Sequence, residues 1–377
     1  MSKESTHCKA EIFESNANNI SDCAKKIQNG GLVIFPTETV YGIGASALDP
    51  NAIEKIYKFK KRPKNNPLIM HVVGWKGSEI YTDLTPQETN IVELLTDKFW
   101  PGPLTILVKK NSIVSDQVTA KSEWVGIRSP DNNISQQLLR YAGVPIVAPS
   151  ANLSGKISST SKDHLLGYFK NSNLSILLED SPSKLGIEST IVKIKNNTIT
   201  IVRPGIITLE DIQTYMKDTT DISIEYNQYC IETQSDHPGS SIKHYSPNIS
   251  TFMFNFIDLG DYGLNSKESS NMESLKSTTA YYLSKCGCID YNRHNFKYRD
   301  MFGAYVDLSE SGDIHEALFN LYNVLHQLNY IPTISRILIF NYWQDKEGLN
   351  KTLYDRVFRA SNGQFITIPV NLTITND

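Results

Sequence analysis

The sequence predicts an α/β protein of two domains: a larger one over residues 1–208, a linker over 209–249, and a smaller Rossmann-like α/β domain over 250–377. Three observations carry this. Short aliphatic and β-branched runs recur between segments of helical spacing, the pattern of strands joined by helices. From Leu209 to Ser250 the chain turns polar and holds two prolines near its end. The alternation then resumes, so each side of the linker has the apolar runs for a core of its own, as a chain of 377 residues allows.

The elements follow in order. LVIF (32–35) reads as a strand, and PTETVYGIGA (36–45) as the loop leaving it, with Gly42 and Gly44 making room for backbone or a ligand. DPNAIEKIYKFKK (49–61) reads as a helix capped by Asp49 with Pro50 at its first position. LIMHVV (68–73), LTILVKK (104–110), VGIR (125–128) and VPIVAPS (144–150) read as strands, and TPQETNIVELLTDKF and NNISQQLLRYAG as capped helices. STIVKIKNNTITIVRPG is a hairpin turning at Asn196 and Asn197, since Asn tolerates the positive φ of tight turns.

Beyond the linker, TFMFNF, TTAYYL, AYVDLS and RILIFNYW read as strands, with helices at GDIHEALFNLYNVLHQLN and LNKTLYDRVFRAS. Helices of that length between strands imply parallel βαβ units. GxGxxG is missing, so no dinucleotide is implied. Residues 262–276, rich in Ser, Asn, Lys and Glu, read as a mobile insertion.

Hydrophobic residues at 40% and charged residues at 20% describe an ordinary globular chain, and a net charge of -3 gives no bulk attraction to nucleic acid. The five cysteines, Cys8, Cys23, Cys230, Cys286 and Cys288, include no zinc-type pair of CxxC spacings, which points to reduced thiols and no structural metal. MSKESTHCKAEIFES has no apolar h-region and no Arg-rich amphipathic pattern, and no apolar run approaches the ~18 residues of a membrane span. A cytoplasmic protein without membrane attachment is expected.

Several spots carry chemistry. KFKKRPK (58–64) concentrates cations at a helix end, to be solvated there or to face an anion such as phosphate. APSANLSG (148–155) offers Ser150 and Asn152 for hydrogen bonding, and reads equally well as a plain turn. Arg128, Glu188 with Ser189, and Arg203 sit at strand ends as punctuation or as ligand contacts, and His71 within LIMHVV is by default a core histidine. No GxSxG, HExxH or Walker lysine loop occurs. The residues describe a cleft of cations, hydroxyls and amides that holds an anionic ligand and works by positioning and charge stabilisation.

Taken in order, FPTETVYGIGASALD, KFKKRPKNNPLIMH, WPGPLTILV, VGIRSP, PSANLSG, GIESTIV and VRPG resemble the L-threonylcarbamoyladenylate synthases, the two-domain members of the YrdC-like family. The resemblance covers about residues 20 to 207; HYSP and GLNKTLYDRVFRAS resemble the family's linker and second domain. It implies a YrdC-like twisted mixed-sheet domain followed by the Rossmann-like one. It also implies condensation of L-threonine, bicarbonate or CO2, and ATP, with Mg2+, into L-threonylcarbamoyl-AMP and pyrophosphate. The product would pass to a tRNA threonylcarbamoyl transferase for position 37 of tRNA.

The same resemblance assigns residues. Thr39, His71, Arg128, Ser150 and Ser189 would surround threonine, with Arg128 on its carboxylate. Lys60, Arg62, Asn66, Trp124, Asn152, Thr160, Arg203 and Tyr245 would surround ATP, with Lys60 and Arg62 offsetting the repulsion between carbamate and triphosphate. Trp124 stands where the family has a smaller residue. The linker HPGSSIKHYSP departs from the family's pattern at His237, Ser240, Ser241 and Ile242, and is expected to close over the nucleotide. Two other readings remain open at this stage: an RNA-binding module gripping RNA with the basic run, and a carbamoyl-adenylate enzyme with another acceptor.

Overall fold

The structure, a computed structural model, describes residues 9–219, 221–227, 244–258, 278–341 and 347–370. The expected insertion at 262–276 and the linker residues His237, Ser240, Ser241 and Ile242 lie outside the described residues. The chain divides into two compact units, one of residues 1–154 and 158–241, the other of 155–157 and 242–377.

The first unit is built on one mixed sheet. Its strands are β1 (Glu11–Glu14), β2 (Val33–Phe35), β3 (Gly42–Ser46), β4 (Ile69–His71), β5 (Leu104–Lys109), β6 (Trp124–Arg128), β7 (Ile146–Val147), β8 (Ser175–Leu178), β9 (Thr190–Lys195), β10 (Thr198–Arg203) and β11 (Ser223–Tyr226). They lie in the order β1-β8-β2-β3-β7-β4-β6-β5-β9-β10-β11. Helices α1 (Ala17–Gln28), α2 (Pro50–Lys60), α3 (Pro86–Phe99), α4 (Asp116–Thr119), α5 (Asn133–Ala142), α6 (Lys162–Phe169) and α7 (Leu209–Tyr215) accompany it. One apolar cluster joins α2 and α3 to β4, β5 and β9 through Ile53, Ile56, Leu95, Met70, Ile106 and Val192. Another joins α1 and α5 through Ile27, Leu138 and Phe35.

Local chemistry explains the boundaries. Asp49 caps α2 through the amides of Asn51 and Ala52, and Lys61 ends it in the left-handed region at φ 51°. Thr85 and Glu88 form a reciprocal capping box on α3. The β9–β10 hairpin turns at Asn196, φ 53°, as the Asn-Asn pair predicts.

Three expectations are revised. Residues 42–46, read as part of a loop, form β3, which pairs antiparallel with β2 and sets Gly42 opposite Phe35. The space beside its glycines belongs to the core. A Cβ on Gly44 would lie 2.7 Å from both the Phe35 ring and the Ile146 methyl, and one on Gly42 would lie 3.2 Å from the Ala148 Cβ. The polar stretch read as linker contains α7 and β11, and β11 adds in parallel to β10 at the edge of the first sheet. Its composition is polar because an edge strand half faces water.

The second unit holds a five-stranded, wholly parallel sheet of β12 (Ser250–Asp258), β13 (Cys286–Asp290), β14 (Ala304–Asp307), β15 (Arg336–Phe340) and β16 (Phe365–Val370), in the order β14-β13-β15-β12-β16. Helices α8 (Ile314–Asn329) and α9 (Gly348–Ala360) are as the sequence reads. TTAYYL, expected to be a strand, is helical over 278–283, and the strand comes one segment later at CGCID. Gly287 is what hid it: Leu328 side-chain atoms lie 3.0 and 3.2 Å from where its Cβ would be, so the position takes glycine despite its poor strand propensity. Cys286 and Cys288 flank it and are fully buried in this unit's apolar cluster. Burial pushes the Cys286 thiol up to about 11 and Cys288 well above its ordinary range, so both serve as protonated core residues.

Gly44→Ala is expected to lower the stability of the first unit by about 1–3 kcal/mol through overpacking against two immobile side chains. Urea unfolding followed by hydrogen exchange should place the loss in β2 and β3; an unchanged midpoint would mean that Phe35 and Ile146 can give way.

Candidate active site

Within the first unit, the ends of several strands and the loops after them converge. β4 and β6 run parallel with His71 in register with Arg128. Arg128, 4% exposed, places its Nη2 2.7 Å from Oε2 of Glu38, itself 2% exposed. Its Nε donates to the Gly102 carbonyl at 3.3 Å. Glu38 belongs to the loop between β2 and β3, where Thr37 Oγ1 meets Thr39 Oγ1 at 2.8 Å and donates to the Val40 carbonyl at 2.6 Å. The hydroxyls thus hold the turn that presents Glu38. Behind them the Phe35 ring meets His71 edge-on, with centroids 6.1 Å apart.

A second set surrounds Lys60, whose ammonium lies on the last turn of α2. It is 1% exposed, and donates to the Ser150 carbonyl at 2.6 Å, to the Asn152 carbonyl, and to Asn152 Oδ1 at 3.4 Å. Ser150 Oγ donates to the same Oδ1 at 2.6 Å, and the Ser150 backbone bridges to Gly42 of β3. Burial and then the Arg62 guanidinium push the Lys60 amine well below its ordinary range; the three acceptor oxygens oppose this by matching the three N–H bonds of the charged form. Arg62 folds back to donate through Nε to the Asn66 carbonyl at 3.1 Å and through Nη2 to Asn66 Oδ1 and to the Pro67 carbonyl at 2.7 Å. Lys58 and Lys64 both turn to Glu54, at 4.0 and 3.1 Å. The basic run therefore divides into two inward cations, Lys60 and Arg62, on carbonyl and amide oxygens, and the outward Lys58, Lys61 and Lys64, of which the first and last share the Glu54 carboxylate.

A third set is built on Arg203 at the end of β10 and Ser189 just before β9. Arg203 Nη2 donates to the Ser189 carbonyl at 2.8 Å and to its Oγ at 3.0 Å, and Ser189 Oγ meets Thr105 Oγ1 at 2.8 Å. The Thr190 amide donates to the Pro103 carbonyl, next to the Gly102 that receives Arg128, so these residues join the Arg128 group through two consecutive carbonyls. Glu188 accepts from Ser158 at 2.6 Å; Thr160 lies against His164 and is fixed by its carbonyl to the Ser183 amide.

Thr39, His71, Arg128, Ser150, Ser189, Lys60, Arg62, Asn66, Asn152, Thr160 and Arg203 all lie within the first unit. Trp124, expected beside the nucleotide, starts the strand that Arg128 ends, about 13 Å from it at roughly 3.3 Å per residue. Its ring packs with Leu107, Ile191 and Val202 and carries the Lys193 ammonium 4.1 Å from its centroid. Tyr245 belongs to the second unit. There it is fully buried at φ 61°, with its ring 5.3 Å from those of Tyr322 and of the Arg356 guanidinium. The sequence reading assigned no role to Glu38, whose partner Arg128 lies ninety residues further on.

Burial, and then Arg128, hold the imidazole of His71 down to about 3 from an ordinary 6.5. Between these values the unfolded chain binds a proton that the folded chain does not, so stability present above 6.5 is lost as pH falls, by about 1.4 kcal/mol per pH unit from this residue. His71→Gln is expected to make the acid limb of a stability–pH profile shallower by about one proton in urea unfolding. Identical slopes would mean that the folded protein protonates His71.

Comparison with known proteins fits this arrangement. A family profile described as telomere recombination (Sua5, YciO, YrdC) matches residues 25–205, and one described as the threonylcarbamoyl-AMP synthase C-terminal domain matches 207–362. Threonylcarbamoyl-AMP synthases of Pyrococcus abyssi and Bacillus subtilis are each 36% identical, over 59% and 62% of this chain and 64% and 66% of theirs, so the matched region spans just under two thirds of these relatives. That of Schizosaccharomyces pombe is 30% identical over 88% of this chain and 85% of its own. The crystal structure of P. abyssi Sua5 complexed with L-threonine superposes with a TM-score of 0.77 at 27% identity, covering 95% of this chain and 99% of that one. The chain belongs to the threonylcarbamoyl-AMP synthase family.

Proposed function

We propose that the protein is a nucleotidyltransferase that condenses L-threonine, bicarbonate or CO2, and ATP into L-threonylcarbamoyl-AMP and pyrophosphate. The observation that carries this is the presence of two basic stations in one unit: Arg128, paired with Glu38, at the end of β6, and Lys60 with Arg62 at the end of α2. One suits the carboxylate of an amino acid and the other the phosphates of ATP.

The chemistry asks for these two stations. The threonine amine adds to CO2, a proton leaves the nitrogen, and the carbamate oxygen then attacks the α-phosphorus as pyrophosphate departs. Two anions must approach, and fixed cations offset their repulsion at no cost in reorganisation. Arg62, anchored on Asn66 and Pro67, is held to one orientation; Lys60, anchored on Ser150 and Asn152, fixes the loop that presents both hydroxyl and amide. No group of three His, Cys, Asp or Glu side chains among the described residues is placed to hold a metal. The residues present suit Mg2+ carried on phosphate oxygens, which is how that ion usually enters nucleotide sites. There it would neutralise charge on the departing pyrophosphate.

The downstream step proposed is transfer of the threonylcarbamoyl group to adenosine 37 of tRNA by a separate transferase. A weak RNA contact by this chain is proposed as well, carried by the outward cations Lys58, Lys61 and Lys64 of the 58–64 run. In the described residues, no helix is long and apolar enough to cross a membrane; the cytoplasm is proposed as the site of action.

ATP turnover with Mg2+, L-threonine and 13C-bicarbonate, omitting each in turn, should yield pyrophosphate and labelled threonylcarbamoyl-AMP only when all are present. Turnover indifferent to threonine would point to another acceptor. Arg62→Lys, which keeps the charge and loses the planar fork, is expected to lower kcat/KM for ATP by roughly 10- to 100-fold with an unchanged fold; full activity would remove the role given to its orientation.

A further inference from the structure

We infer that Glu38 binds the α-ammonium group of the amino-acid substrate, so that the Glu38–Arg128 pair receives the substrate as a zwitterion; this rests on the functional reading above. The observation is an unusual buried carboxylate. Glu38 is 2% exposed, and neither Oε1 nor Oε2 accepts a hydrogen bond of good geometry from the described residues, although Oε2 lies 2.7 Å from Arg128 Nη2. Arg128 Nη2 is likewise close in distance and without a well-directed acceptor. Buried carboxylates are otherwise retained with several donors around them.

Charge decides what completes the pair. Glu38 already neutralises Arg128, so a substrate carboxylate arriving alone would bring a second anion to one guanidinium and leave the site with a net buried charge. A ligand carrying both signs has no such penalty: its carboxylate faces Arg128 and its ammonium faces Glu38, and four charges sum to zero. His71, held neutral beside Arg128, adds no competing cation. Thr37 and Thr39 occupy their own hydroxyls with each other and with the Val40 carbonyl, and the Glu38 carbonyl accepts from the Leu185 amide at 2.8 Å, so the backbone around Glu38 is fixed while its carboxylate remains under-bonded. A zwitterionic α-amino acid is the ligand class that this geometry selects, over an α-hydroxy acid or an N-acylated amino acid.

Calorimetric titration of threonine into the full chain, without ATP, tests this directly. The unaltered protein should bind threonine about 10- to 100-fold more tightly than 2,3-dihydroxybutanoate, which keeps the carboxylate and replaces the ammonium with a hydroxyl. In Glu38→Gln that preference should collapse to within a few-fold, with threonine affinity reduced by a similar factor. Equal affinities for the two ligands on the unaltered protein would overturn the inference whether or not the variant folds. Threonine affinity unchanged or higher in Glu38→Gln would also overturn it; an increase would mean that Glu38 merely competes with the substrate carboxylate. No threonine binding to the unaltered protein would overturn the functional reading itself, and this inference with it.

Discussion

The ion pair between Glu38 and Arg128 is the contact on which the rest of the first unit's cleft depends. Its members come from separate places, the loop between β2 and β3 and the end of β6, and meet at 2.7 Å with almost no solvent. Removing one partner of such a pair typically costs about 3–5 kcal/mol, because the other is left charged and unmatched in a medium that solvates it poorly. The sheet must therefore bring β2, β4 and β6 to one end with little tolerance. The parallel register of β4 and β6, the short β3 strand crossing over Phe35, and the Gly102 carbonyl that receives Arg128 are the means by which it does so.

Lys60 works by a related logic with neutral partners. A fully enclosed ammonium is opposed by desolvation, and this chain answers with carbonyl dipoles in place of a carboxylate. A counter-ion would have cancelled the charge; carbonyls orient it while leaving the local field positive. Helix α2 makes this possible by stopping at Lys61 in the left-handed region, which turns Arg62 back along the chain to Asn66. The position of the stop sets which cations of the run face inward.

Much of this was legible in the sequence because it rests on local signals. Asp49 before Pro50, Thr85 three residues ahead of Glu88, and the Asn-Asn turn each specify their structure within a few residues, and each is found as read. The parallel sheet of the second unit followed from strands separated by long helices. What escaped notice depends on partners distant in sequence. Residues 42–46 are a strand because Phe35 and Ile146 fill the space beside the glycines, and CGCID is one because Leu328 crowds Gly287. Neither neighbour is visible in the local pattern. Glu38 escaped in the same way, since an acid acquires its meaning only when a guanidinium ninety residues on folds beside it. Trp124 and Tyr245 were assigned by motif position alone; the ring of one packs under Lys193 and that of the other against Tyr322.

The three residues 155–157 are counted with the second unit although the chain on both sides of them belongs to the first. There the Ser246 amide donates to the Gly155 carbonyl at 2.9 Å and Lys156 bridges in parallel to Ser246. These residues lie between Asn152 and Thr160, so the stretch carrying that amide and hydroxyl is stitched at its midpoint to a residue about ninety positions later. A fragment that ends before 242 would keep the loop and lose its stitch, and the cost would fall on the order of that loop more than on the core of the sheet, whose strands close without it.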